Sequence, residues 1–356
     1  MDVVRVIGVL EEGGGQLSAL RLSVGLRAHG IDTVRLLAGD ATPGGVALAA
    51  RYGVEVETFV DPGSGRHLSL QWRRSPEFAA WLAPRLAGAE LVHAHMAGAW
   101  MAAAAVVPAG VALVASEHNA VNWPDGDFTV AAKAGAVRID AFFAHGPAAR
   151  EFAISIGVPD TVLQEGRSAV EGFDATPLPG LATPRVTYAG RLHPEKGPDL
   201  LVAALAKLRS PVSAYFLGDG PAAAQVAEQV AALGLSASVQ LLGWSPEPAR
   251  YVAGSAVHVV PSREEAWSQS AVLGLGLGVP VIGTAVEGLP LTLGEGRGVL
   301  VPPEDPAALA RAIDAVLDGS ARPDPAPGLA YARPFTIIGV SARYARIYRT
   351  TLARRS

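Results

Sequence analysis

The stretch Arg185–Leu208, RVTYAGRLHPEKGPDLLVAALAKL, decides the fold. Arg185–Ala189 is short and carries β-forming residues, as a buried strand requires. Gly190 permits a sharp turn, and from Pro198 to Leu208 apolar side chains return at helical spacing. Strand, turn and helix in that order form the repeating half of a βαβ crossover, which predicts a parallel sheet.

The same alternation runs outward in both directions. Toward the amino terminus, strands are expected at Val3–Leu10, Thr33–Leu37, Glu55–Val60, Leu91–Ala94, Ala112–Ser116 and Ala141–Ala144. Gly13–Gly15 turn the chain after the first, and Gln16–His29 place Leu17, Leu20, Val24 and Leu26 on a helical period. Toward the carboxy terminus, strands are expected at Ser213–Leu217, Val239–Leu242, Ala256–Val260 and Val279–Gly283, and helices at Ala222–Leu233, Trp267–Leu277 and Pro306–Leu317. The Pro-rich Asp318–Gly328 reads as a connector and Phe335–Ala353 as an amphipathic helix. Around Glu165–Pro184 the periodicity gives way to Gly, Pro and Ala. The expected organisation is a doubly wound domain over residues 1–170, a linker over 171–184 and a second doubly wound domain over 185–333. A last helix, 334–356, returns to pack on the first domain.

Composition agrees with two domains. The chain has 356 residues, half of them apolar and 17% charged, which suits two ordinary cores better than one. Cysteine is absent, which removes disulfides, thiolate metal sites and cysteine nucleophiles and fits a reducing, cytoplasmic setting. The net charge of -4 argues against nucleic-acid binding, which needs a basic face. The first residues, MDVVRVIGVL, lack the basic and long apolar regions of a signal peptide. The long uncharged run Met96–Ser116 is mostly Ala and Gly with Pro108 inside, so it reads as helix, turn and strand and not as a membrane span.

Two turns carry the chemistry. Gly190–Gly197 holds Arg191 and Lys196 on either side of a bend that opens a helix. A guanidinium fork and an ammonium so placed can both reach one diphosphate, and anion sites form at such turns; a solvated basic loop is the alternative. Pro261–Ser268 sets Glu264 and Glu265 between a strand end and a helix start, where open α/β sheets bind ligands. Ordinary capping of the helix by acids is the alternative there.

In combination these segments resemble the family 4 retaining glycosyltransferases. The resemblance rests on Gly190-Arg191-Leu192 with Lys196-Gly197, Gly218-Asp219-Gly220-Pro221, Pro261-Ser262 with Glu265, Gly278-x-Pro280-Val281, and Gly298–Pro303 with Asp305. Gly14-Gly15, Leu91–His95 and Glu117-His118 agree more loosely. Ala266–Ser270 is similar to glycosyltransferases that build aminoglycoside antibiotics. The resemblance implies the GT-B fold, two Rossmann-like α/β domains facing a cleft, and transfer of a sugar from a nucleotide diphosphate, UDP foremost, to a small soluble acceptor. It implies retention at the anomeric carbon and no metal or other cofactor. Arg191 and Lys196 are expected to hold the donor diphosphate, Glu265 a sugar hydroxyl, and His118 to lie near the donor sugar, so these four carry the reaction. Gly190, Gly218, Gly243, Glu264 and Ser268 complete the expected donor site, and Trp244 sits where the nucleobase is gripped. Gly14 and Gly15 would admit a phosphate or acceptor to backbone N–H groups. Glu11, Glu12 and Glu117, with Asp125 and Asp127, could face an aminocyclitol acceptor; ordinary surface charge is the alternative.

Two places depart from the family, and in one the linker has Glu165-Gly166-Arg167-Ser168 instead of the usual Asn-Gly segment. In the other, the family has a second Glu, eight residues after the first, that binds the nucleotide ribose; here Leu273 occupies that place. That change leaves open a non-catalytic nucleotide-sugar-binding subunit, and the shared scaffold leaves open a sugar-nucleotide 2-epimerase. Gly218–Ala223 half-resembles a dinucleotide fingerprint, but no acid ends the next strand, which argues against NAD. His93 and His95 alternate at a strand end without a third ligand nearby in sequence, so a structural role outweighs metal binding. Asp125-Gly126-Asp127 reads as a turn. Phe78, Trp81 and Leu82 share a helix face with too few arginines for a membrane anchor, which favours core packing.

Overall fold

A computed structural model describes residues 1–31, 33–60, 76–118 and 126–355. Asp125 lies outside the described residues. The chain forms two compact units, 1–169 with 337–356, and 170–336.

The first unit is built on seven parallel strands: β1 (Asp2–Leu10), β2 (Thr33–Ala41), β3 (Val56–Thr58), β4 (Leu91–His95), β5 (Ala112–Glu117), β6 (Ala141–Ala144) and β7 (Leu163–Glu165). Their order is β3-β2-β1-β4-β5-β6-β7. Such strands are buried on both faces, so their apolar residues run on instead of alternating with polar ones. Leu37 joins one layer of the core, and its neighbours Leu36 and Ala38 join the other. The alanine-rich run resolves as a helix at Ala97–Val106, a turn and then β5. In the helix Pro76–Leu86, Phe78 and Leu82 are fully buried in the core, and the Arg85 guanidinium lies 4.0 Å from the Trp81 ring centre. The helix Ile337–Ala353 belongs to this unit and buries Val340, Tyr344, Ala345 and Tyr348. It packs on the helix Gly14–Arg27, where a Cβ at Gly25 would fall 2.7 Å from Ser341 Oγ.

The second unit has six parallel strands: β8 (Arg185–Ala189), β9 (Ser213–Leu217), β10 (Val239–Leu241), β11 (Val257–Val260), β12 (Val281–Thr284) and β13 (Val299–Val301). Their order, β10-β9-β8-β11-β12-β13, repeats that of the first sheet. In each sheet the chain grows away from its first strand and then returns to that strand's other side. The points of reversal lie between β1 and β4 and between β8 and β11. Open parallel sheets take ligands beyond the carboxyl ends of the strands at such points.

Three readings of the sequence need correction. Residues 171–184 are part of the second unit, with the Leu178 N–H bonded to the Arg250 carbonyl and the Ala182 N–H to the Tyr215 hydroxyl. Asp318–Gly328 is not wholly a connector, because a helix begins at Pro325. Asp324 caps it by accepting from the Ala326 N–H at 2.9 Å, and proline suits its first position. Gly126 and Asp127 open a helix, Gly126–Ala136, instead of forming a turn.

Candidate donor site and buried histidine network

At the reversal point of the second sheet, glycines set the shape. Gly218 has φ 137° and a Cβ there would fall 1.9 Å from the Gly190 carbonyl, while its N–H donates to the Gly243 carbonyl at 2.7 Å. The ends of β8, β9 and β10 are thereby interlocked backbone to backbone. Beyond Gly243, Trp244 is 41% exposed. Gly197 has φ 62°, and a Cβ there would lie 2.0 Å from the Pro261 carbonyl, which brings the loop after β8 against the loop after β11. Only glycine tolerates both the conformation and the approach.

Those two loops carry the expected charges. Lys196 Nζ donates to the Glu264 carbonyl at 3.1 Å and to Glu265 Oε2 at 3.3 Å, and Ser262 Oγ donates to the same Oε2 at 3.2 Å. The Glu265 N–H in turn donates to Glu287 Oε2 at 2.7 Å. Arg191 projects from the neighbouring turn, 47% exposed and paired with Glu195, an exposed contact that a diphosphate could displace. Its carbonyl accepts from the buried Tyr188 hydroxyl at 2.6 Å, which fixes the backbone beneath it. Glu264 is exposed and offers its carbonyl, not its carboxylate, to Lys196.

Arg263 was not legible as part of this site. Its Nη1 and Nη2 donate to Asp199 Oδ1 and Oδ2, both at 2.8 Å, and Nη1 also reaches the Pro194 carbonyl at 2.7 Å. Hydrogen bonding from Arg263 holds the Asp199 carboxyl below the usual carboxylate range. The guanidinium thus rivets the loop of Glu264 and Glu265 to the loop of Arg191 and Lys196. The acids do not cap the following helix, since Ser268 does so by accepting from the Ala271 N–H at 3.2 Å. Ser268, expected in the donor site, is 2% exposed. Leu273 is buried with Val260, Leu289 and Leu293 in the core beneath.

At the reversal point of the first sheet, Gly13 precedes the helix Gly14–Arg27, and Glu11 and Glu12 are exposed. Thr42 Oγ1 donates to Glu12 Oε2 at 3.3 Å. Gly15 lies against the His118 ring, where a Cβ would be 3.8 Å from its Cγ. His118 follows β5 and stacks on His145 with ring centres 3.8 Å apart. Burial lowers the pKa of His118 to about 4. Glu117 is only 3% exposed and accepts from the His118 N–H at 3.3 Å, so it does not belong to a surface acidic patch. His93 and His95 are buried beside Arg5 and Tyr348. Among the described residues, no group of three His, Cys, Asp or Glu could hold a metal ion, and no helix is long and apolar enough to cross a membrane. The Arg5–Tyr348 part of this network escaped the sequence reading, because the partners lie at opposite ends of the chain.

Comparison with known proteins matches each half separately. Residues 12–166 match the family model "Glycosyltransferase Family 4", and residues 183–319 match "Glycosyl transferases group 1". A D-inositol 3-phosphate glycosyltransferase from Catenulispora acidiphila is 34% identical over 38% of this chain and 36% of its own length. One from Acidothermus cellulolyticus is 30% identical over 48% of this chain and 42% of its own. The matches thus span well under half the length of these relatives. Among solved structures, Anabaena Alr3699/HepE in complex with UDP-glucose superposes with a TM-score of 0.84 at 19% identity, over 98% of this chain and 100% of that one. Sucrose-phosphate synthase from Thermosynechococcus elongatus gives 0.77 at 21% identity, over 99% and 100%. Two parallel-sheet units with the same strand order, each half matching a glycosyltransferase model, identify the chain as a two-domain GT-B protein.

Proposed function

We propose that this protein is a retaining glycosyltransferase that moves a sugar from a UDP-sugar to a small acceptor. The observation that carries the reading is the meeting of Lys196, Glu265 and Ser262 beside Arg191 at the reversal point of the second sheet. Two cations there suit a diphosphate, and a carboxylate beside them suits a sugar hydroxyl. In the reaction the bond from the anomeric carbon to the β-phosphate oxygen breaks and UDP leaves. The acceptor oxygen bonds to the same carbon from the same face, and its proton passes to the departing phosphate. Arg191 and Lys196 hold the charge that grows on that phosphate, a task done elsewhere by a metal ion. Turnover is therefore expected to persist in EDTA.

For the acceptor we favour an aminocyclitol. The curated relatives act, by name, on an inositol phosphate. Here exposed Glu11 and Glu12 at the end of β1 would repel a phosphate and attract an ammonium. The test is a thermal-shift titration with UDP and UDP-glucose, followed by measured UDP release from UDP-glucose with 2-deoxystreptamine or with inositol 3-phosphate. Release that depends on the aminocyclitol is expected. Conversion of the nucleotide sugar without any acceptor would indicate an isomerase, and binding without turnover a non-catalytic subunit.

A further inference from the structure

We infer that Arg5, acting through His95, holds His118 as the tautomer protonated on Nδ1, so that Arg5 and His95 are positioning residues for a histidine that donates to a ligand hydroxyl. The inference rests on the proposed function only for the ligand; the ordering of protons follows from the protein alone.

A guanidinium has donors and no acceptor, and it does not lose its proton in proteins. Arg5, on β1, is fully buried, and its Nη1 lies 3.1 Å from His93 Nδ1 and 2.9 Å from His95 Nε2. Both ring nitrogens must therefore present lone pairs. A neutral imidazole keeps one proton, so His93 is protonated on Nε2 and His95 on Nδ1. His93 Nε2 donates to Ser116 Oγ at 2.7 Å. His95 Nδ1 faces His118 Nε2 at 3.4 Å, a long contact in which His95 is the donor and His118 the acceptor. His118 must then carry its proton on Nδ1. Tyr348 closes the network, its hydroxyl accepting from Arg5 Nη2 at 3.2 Å and donating to His93 Nδ1 at 2.6 Å.

Two further facts agree. Burial first, then neighbouring positive charge including Arg5, pushes the His93 and His95 pKa values well below the ordinary range, and burial does the same for His118, so the rings are neutral near pH 7. The ring of His118 is held in plane by His145 on which it stacks, with Gly15 beside it. A ring of fixed orientation and tautomer is a directional donor, which is worth more to catalysis than one that must reorganise.

The test is tautomer-resolved NMR on the full chain labelled with 15N-histidine, with His118→Asn to identify the His118 signals. Without ligand at pH 7, His118 and His95 should appear protonated on Nδ1 and His93 on Nε2. Finding His118 protonated on Nε2, or doubly protonated, overturns the relay. His95→Phe keeps a flat ring in the stack but cuts the link, and His118 should then become a mixture of tautomers. His95→Gln should restore the order, because its carbonyl can accept from Arg5 while its amide donates onward. Unaltered His118 signals in His95→Phe would also overturn the proposal. With UDP-glucose as donor, kcat/KM should fall about three- to tenfold in His95→Phe, as the competent fraction falls, and recover in His95→Gln. If the free protein shows the ordered tautomers yet no UDP-glucose binding, the glycosyltransferase reading fails and the relay stands.

Discussion

Arg191 and Lys196 have the same charge but different surroundings. Arg191 is half exposed and, among the described residues, paired with Glu195, whereas Lys196 is held by the Glu264 carbonyl and the Glu265 carboxylate. Neither is needed to build the core, so Arg191→Ala should leave the far-UV circular dichroism unchanged. Losing one charge-assisted hydrogen bond costs about 1.5–3 kcal/mol, so UDP should bind roughly ten- to a hundredfold more weakly in isothermal titration. Arg191→Lys should recover only part of this, because an ammonium cannot grip phosphate as a fork. Unchanged UDP affinity in Arg191→Ala would remove the diphosphate role. These charged residues were legible in sequence because a turn after a strand is local. Arg263 was not, since its partners come from two other segments, Pro194 with Asp199 and Glu304, and only folding joins them.

At the scale of elements, the helix Gln269–Gly276 and the glycine interlock separate structure from binding. Ser268 was expected to bind donor, yet its hydroxyl accepts from the first turn of that helix. Ser268→Ala should lower stability by about 1 kcal/mol in urea unfolding, as the loss of a cap does, and leave UDP-glucose affinity within a factor of about two. A much larger loss of affinity would return Ser268 to the donor site. Gly218→Ala should behave oppositely. Its positive φ alone costs about 1–3 kcal/mol in an alanine, and the Cβ would press on the Gly190 carbonyl, so the turn bearing Arg191 must shift and UDP affinity should fall along with the melting temperature. The strands and their punctuation were readable because buried parallel strands announce themselves by β-branched runs. The three-residue strands β7 and β13 escaped, and so did the helices Pro43–Arg51 and Pro147–Ser155. The cap of the last-but-one helix by Asp324 was a readable signal overshadowed by the prolines around it.

Across the whole molecule, both sheets wind in the same order and both bury histidine beneath a reversal point. In the first unit these are His93, His95 and His145, with His118 half-buried beside them; in the second His258 sits between Thr187 Oγ1 at 3.0 Å and Ser270 Oγ at 2.8 Å. The duplication was legible, because it follows from local periodicity repeated along the chain. The histidine network was legible only as a pair on one strand, since its buried cation and tyrosine come from β1 and the last helix. The network has a global consequence. Burial lowers His118 and His258 to about 4 and places His93, His95 and His145 well below the ordinary value, with Arg5 adding to the effect at His93 and His95. An unfolded chain protonates these rings near pH 6.5, while the folded protein keeps His118 and His258 neutral to about pH 4 and the other three neutral well below the ordinary range. Between those limits the unfolded state binds more protons, so stability is full above pH 6.5 and is lost as the pH falls. The slope approaches about 1.4 kcal/mol per pH unit for each such histidine. Between pH 6.5 and 5 most carboxylates stay ionised, so the histidines should dominate, and calorimetry should record a steadily falling melting temperature over that interval. His258→Asn, which keeps a polar side chain in the second unit but cannot titrate, should flatten that unit's share of the slope. A melting temperature that holds level or rises on acidification would mean that the rings take up protons without unfolding.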